Sequence, residues 1–289
     1  MAKRKKPTQA ELKAKRKKPT ATKTAPMKVA HKNPPFSEIV KKAEGKKLVL
    51  HIGCSVPNPE KLHKSFRGDD WYEIRLDIDP DVNPDIVADM LDMSMIPDNS
   101  VNAVWSSHNI EHLFPHQVKE AMTEIYRVIK DEGHFLVTLP DIQTVAAYVA
   151  HGGLEDPIYD SSAGPIAPID ILYGFRKPIS EGNHFMAHKT GFTAKTLGLH
   201  LRDTGFTNIK VNRDWVDLWA IGYKMPMGHP ERVEKMAIGI KSSNNQVKLP
   251  PPMPINRTPH PGRFSNTPLT DELDIPPKVW QPLGLKKAK

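Results

Sequence analysis

The sequence predicts an α/β domain on a doubly wound, mostly parallel seven-stranded sheet with an antiparallel last strand, flanked by disordered tails. Three observations carry this. From residue 47 onward, short runs rich in Val, Ile and Leu alternate with stretches of helical spacing, the pattern of strand, crossover and parallel strand. The final two runs are separated by only four residues, 213–216, which suits a hairpin rather than a crossover. At both ends, charge and proline replace apolar residues, so little burial is on offer to offset the entropy of ordering.

The elements follow in order. Residues 47–53 form an apolar run ending at Gly53, as expected of a strand buried on both faces. Asn58 and Pro59 read as an N-cap and first helical residue, predicting a helix through Phe66. Residues 72–79 give a second strand closed by Pro80, and 85–89 a shorter third. Residues 101–105 give the fourth, after which Val118, Met122, Ile125 and Ile129 recur at helical spacing. Residues 134–139 are the fifth. Thr193 caps a helix with Leu197 and Leu201 on one face, ended by Gly205, and the hairpin strands are 208–212 and 217–224. Ligands of such sheets bind beyond the carboxyl ends of the strands.

Charge sharpens the domain limits. The net charge is +8, yet residues 1–47 hold sixteen Lys/Arg against three acids, while residues 48–225 hold fifteen against twenty-five. The basic character therefore belongs to the arms. We read residues 1–35 as a disordered basic arm, 36–225 as the folded domain, and 226–289, with twelve of the 28 prolines, as a Pro-rich disordered tail. The arm repeats Lys3-Arg-Lys-Lys-Pro-Thr8 as Lys15-Arg-Lys-Lys-Pro-Thr20. This suits weak nucleic-acid binding through residues 3–20, or equally a solubilising tail or import signal. The single cysteine, Cys54, excludes an internal disulfide and multi-cysteine metal sites. With no apolar run of membrane-spanning length and no secretory leader, a soluble, cytoplasmic protein is expected.

Six segments in order then resemble the class I S-adenosylmethionine-dependent methyltransferases, Rossmann-like proteins of the type 11-like branch, over about residues 47–224. They are Leu48-Val-Leu-His-Ile-Gly-Cys54, Leu76-Asp-Ile-Asp-Pro80, Ile96-Pro-Asp-Asn-Ser-Val101, His108-Asn-Ile-Glu-His-Leu113, Tyr126-Arg-Val-Ile-Lys130 and Asp131-Glu-Gly-His-Phe-Leu-Val-Thr-Leu-Pro-Asp141. The resemblance implies S-adenosyl-L-methionine as cofactor and makes Asp77, 24 residues after Gly53, the carboxylate for both ribose hydroxyls. It gives the adenine amino group to Asp89 or Asp92, Asp89 matching better, with Ile78 and Met90 as neighbouring cofactor contacts. Gly53 and Ser55 form the cofactor loop, and Ser107 or His108 packs near the methionyl part. The loop departs from the family in having no second glycine. Ser55 is small and the helix expected at Asn58 offers free amides, so binding is expected to survive. His51 is expected to be a sheet histidine bonded to a neighbouring loop, with support of the cofactor loop as the lesser role.

The acceptor side is less specific. Residues 142–192 exceed an ordinary connection and mix aromatics, turn residues and ionisable groups, as a lid would. Tyr173, Arg176 and His184 are the substrate candidates there, for a small-molecule or glycan acceptor with a hydroxyl or similar nucleophile. A base for a hydroxyl would come from His108, His112 or His188. His108-Asn-Ile-Glu111-His112 also matches the pattern of inverted zinc peptidases. However, His108 directly follows a strand instead of lying within a helix, and no downstream carboxylate ligand is evident, so no metal is expected. A catalytically degenerate binding module, tethered by its basic arm to nucleic acid or a protein partner, is the alternative to an enzyme.

Overall fold

In the computed structural model, the described residues are 33–161, 163–226, 228–229 and 238–242. Helix α1 (Phe36–Lys42) precedes β1 (Lys47–Ile52), β2 (Trp71–Asp77), β3 (Ile86–Val87) and β4 (Val101–Ser107). Helix α2 (Val118–Val128) leads into β5 (Ile129–Pro140). The long connection contains α3 (Ile142–Ala150), a small hairpin of β6 (Tyr159–Ser161) and β7 (Gly164–Ile166), α4 (Pro168–Tyr173) and α5 (Arg176–Ser180). Helix α6 (Ala194–Thr204), β8 (Thr207–Asp214), β9 (Asp217–Tyr223) and β10 (Ile238–Ser242) complete the fold.

The sheet runs β3-β2-β1-β4-β5-β9-β8-β10, and only β9 is antiparallel to its neighbours. The seven expected strands are thus present with the expected reversal. An eighth, β10, pairs in parallel with β8 and lies inside the stretch read as a disordered tail, so residues 238–242 correct that reading. Their Ile-Gly-Ile core is an apolar run that the surrounding prolines masked. The basic arm through residue 32 and residues 243–289 lie outside the described residues. Among the described residues, no helix is long and apolar enough to cross a membrane.

Alternation along the strands sorts side chains onto two faces. Leu48, Leu50 and Ile52 of β1 join Ile39 of α1, Met122 and Ile125 of α2, and Leu197 and Leu201 of α6 in the main core. Each large side chain buried there contributes roughly 1.5–3 kcal/mol. The opposite face is thinner. Val49, Ala103 and Trp105 meet Leu62, Phe66, Trp71, Leu136 and Trp219, with the Trp105 and Trp219 rings stacked at 5.8 Å.

No helix runs from Pro59 to Phe66; turns lead to one 3-10 turn, Lys64–Phe66. Side chains have taken the carbonyls that such a helix would use. Arg67 donates to the oxygens of Glu60 and Leu62, both at 2.7 Å, and Trp105 Nε1 donates to that of Lys61 at 2.9 Å. An α-helix needs those three acceptors for amides four residues on. The winding is therefore uneven, with α1, α2 and α6 packed in the main core and irregular chain behind the second face.

The insertion after β5 starts and ends at one place. Asp141 bridges Phe192, and the Ile142 amide donates to the Phe192 carbonyl at 2.9 Å. Between these ends, Val145, Ile166 and Ile171 pack with Val216 in a small core of their own.

Lys224, just beyond β9, is 8% exposed. Its Nζ donates to Asn99 Oδ1 (2.6 Å) and to the carbonyls of Ile129 (2.7 Å) and Tyr126 (3.0 Å), and sits 4.7 Å from the Tyr126 ring centre. A cation thereby satisfies carbonyls at the negative end of α2 and ties that helix to the sheet. Replacing Lys224 with Met takes the donor from the buried Ile129 carbonyl and from the half-buried Tyr126 and exposed Asn99 acceptors, so Lys224→Met is expected to lower stability by about 1–3 kcal/mol in urea denaturation. A loss below about 0.5 kcal/mol would refute this role.

Candidate active site

A cleft of about 500 Å³ opens at the carboxyl ends of β1, β2 and β4, where the sheet order predicts a ligand. Gly53 turns the chain there at φ +67°, and a methyl group on its Cα would overlap the Asn109 side chain. From that position Asn109 Nδ2 donates to the carbonyls of Ile52 (3.0 Å) and Ser107 (2.9 Å) and to Ser106 Oγ (3.2 Å). Asn109 thus joins the ends of β1 and β4. It lines the cleft, and although it lies within the His108–Leu113 segment, the sequence assigned it no role.

Ser55 stands where the family's second glycine is missing, and adopts φ +55° in spite of its side chain. Its amide donates to Asp77 Oδ2 at 2.8 Å, and the Asp79 amide donates to Asp77 Oδ1 at 3.0 Å. Arg75 grips the same loop by donating to the Ser55 carbonyl. Each Asp77 oxygen has accepted one amide and retains a second acceptor site. The neighbouring Cys54 is buried, and that burial pushes its thiol up to about 12, so it is no nucleophile. His51 is buried within the sheet, as expected, but its Nδ1 lies 2.6 Å from Oε1 of Glu73 on the adjacent strand β2 and not on a neighbouring loop.

Gly53, Ser55, Asp77, Ile78, Asp89 and Met90 all line the cleft. Asp89 also accepts the Leu91 amide at 3.0 Å. Asp92 is exposed, accepts the Ser94 amide at 3.1 Å and lies off the lining; so does Ser107. The amides expected from a helix at Asn58 are not offered, because that helix does not form.

His108 leaves β4 at φ +54° and lines the cleft. Its Nδ1 is 3.4 Å from Glu111 Oε1 and its Nε2 is 3.9 Å from Asp217 Oδ1. Burial disfavours the imidazolium, but these two carboxylates outweigh it and raise the group to about 8. Glu111 is 1% exposed, and although burial alone would raise its carboxyl, the surrounding imidazoles hold it below the usual range. His112 and His188 meet edge to face, ring centres 4.8 Å apart. Burial lowers His188.

From the insertion, Asn183, Phe185, Met186 and Lys189 reach the cleft, Phe185 being 68% exposed and Lys189 Nζ lying 5.0 Å from the Phe114 ring centre. The three substrate candidates stand elsewhere. Tyr173 is 64% exposed and off the lining, Arg176 is paired with Asp170 (Nε to Oδ1, 2.7 Å), and His184 is exposed beside the lining residues. An exposed aromatic flanked by turn residues was the only sequence signal for Phe185, and a better one than ionisable character.

Residues 62–137 match a family model described as a methyltransferase domain. No curated protein matches the chain. Solved structures with some likeness include a SAM dependent methyltransferase from Archaeoglobus fulgidus: 16% identity, TM-score 0.43, covering 65% of this chain and 91% of that one. Another is a 1,6-didemethyltoxoflavin-N1-methyltransferase from Burkholderia thailandensis, solved with that compound and S-adenosylhomocysteine: 13% identity, TM-score 0.40, 67% of this chain and 78% of that one. Residues 62–137 thus carry the sequence pattern of a methyltransferase domain, and they lie on a sheet with the strand order and the reversed strand expected for that fold.

Proposed function

We propose that this domain transfers the methyl group of S-adenosylmethionine to a hydroxyl or similar nucleophile of a small-molecule or glycan acceptor. The observation that carries the reading is the Asp77 carboxylate at the end of β2, facing a cleft that also meets the Gly53 turn. A carboxylate so held accepts hydrogen bonds from two vicinal hydroxyls, and Asp89 lies farther along the same wall for the base. Methyl transfer from a sulfonium is an in-line displacement with a good leaving group, so positioning and exclusion of water supply most of the rate. Phe185, Met186 and Lys189 give the insertion a covering role over the acceptor end, and His108 is the histidine nearest that work. The single cysteine and acidic core suit a cytoplasmic enzyme.

One observation favours the degenerate module instead: the cofactor loop has neither a second glycine nor a following helix. Calorimetry separates the two readings. The enzyme reading expects S-adenosylhomocysteine to bind with a Kd below the high micromolar range, and Asp77→Ala to weaken it at least about tenfold. No binding, or binding indifferent to Asp77, would sink it, and a Ser55→Gly variant that gains affinity would support the module.

The repeated basic arm, in turn, supplies weak attraction for polyanions. Deleting residues 1–30 is expected to weaken binding to a mixed-sequence RNA or DNA and flatten its dependence on salt. Unchanged affinity and slope would leave the arm without that role.

A further inference from the structure

Beside the cleft, two neighbouring side chains and a third from a distant part of the chain converge. Glu111 and His112 sit on the 3-10 turn Ile110–His112 after β4, and His188 comes from the end of the insertion. One ligand atom from each lies within 4.8 Å of the other two. The insertion is held against the turn because the Glu111 carbonyl accepts the amides of Lys189 (2.9 Å) and Thr190 (3.2 Å).

Two features of this cluster point to a missing ligand. The Glu111 side chain is 1% exposed, yet neither carboxylate oxygen accepts a hydrogen bond; its nearest partner is His108 Nδ1 at 3.4 Å. A buried carboxylate left in that state is costly unless something further compensates it. The two imidazoles, meanwhile, are already oriented. His112 Nδ1 donates to the Ala187 carbonyl (3.2 Å) and His188 Nδ1 donates to the Ile171 carbonyl (2.7 Å). Since a carbonyl can only accept, these bonds fix the tautomer and leave each Nε2 with a lone pair, the arrangement by which backbone carbonyls orient metal-binding histidines.

We propose that Glu111, His112 and His188 bind one divalent first-row transition-metal ion. Two imidazoles and one carboxylate suit zinc, iron, cobalt or manganese and leave coordination positions open. An ion about 2.1 Å from each ligand brings the three atoms to about 3.4 Å apart, a modest closing from the present spacing. The set differs from the peptidase pattern in the sequence: His108 faces Glu111 and Asp217, and His188 takes the place which that pattern gives to His108. His112 also lines the cleft, so the open positions face it. There an ion would ease loss of a proton from a bound hydroxyl. That consequence rests on the methyl-transfer reading; the site itself does not.

The test uses the full chain, stripped with a chelator and titrated with cobalt(II) while the visible d–d bands are followed. One equivalent is expected to bind and to be displaced by zinc(II). Glu111→Gln and His188→Asn should each weaken binding by about 100-fold or more, and His151→Asn, an exposed histidine elsewhere, should not change it. Circular dichroism and thermal melting report whether the variants fold. Should they not, X-ray absorption of the zinc-loaded natural chain decides, with two imidazoles and one carboxylate oxygen expected in the first shell. Absence of stoichiometric binding, binding that survives both substitutions, or a shell without two imidazoles would overturn the site. Tight cobalt binding by a chain that ignores S-adenosylhomocysteine would uphold the site while removing the methyl-transfer reading.

Discussion

Asn109 fills the space that a side chain on Gly53 would need, and from there its one amide group holds the last carbonyl of β1 and the last of β4. Everything at the cleft is referred to that junction. The turn at Gly53 sets the loop whose Ser55 amide meets Asp77, and the same residue begins the turn carrying Glu111 and His112. A sheet alone would bring the strand ends near each other. The amide clamp decides their spacing, and with it the distance between the two ends of the cleft.

The sheet was legible because its strands are bounded, apolar and alternate with helical spacing, and because two residue runs four apart leave room only for a hairpin. The resemblance singled out Asp77, Asp89, Gly53 and Ser55, and all four line the cleft because they stand at or just beyond the strand ends. The segment after Pro59 was not legible, since its helix is prevented by Arg67 and by Trp105, which lies on a strand far ahead in the sequence. Local propensity has no access to a competitor of that kind. The same holds for His188, whose partners Glu111 and His112 belong to a different loop, and for Arg176, whose charge is spent on Asp170 within its own segment.

Electrostatics explains the division of labour along the chain. The acidic residues of the domain are largely used: Glu124 and Asp98 pair with Arg127, Glu73 with His51, and Asp77 with backbone amides. Such pairs and amide contacts hold loops at the strand ends at modest energetic gain near the surface. Around the cleft, carboxylates and histidines predominate over lysine and arginine, Lys189 being the cation that lines it. This wall therefore offers a polyanion little attraction.

The bridge between Asp141 and Phe192 closes the insertion on itself, so the roughly fifty residues between them form a loop with coincident ends, packed on a small core that it shares with Val216 of the β8–β9 turn. Lengthening or shortening such a loop changes its closure entropy only logarithmically, by about 0.6 kcal/mol for each doubling. The segment that covers one side of the cleft can in this way vary in length while its two ends stay fixed, and an experimenter could exchange it at the same two residues.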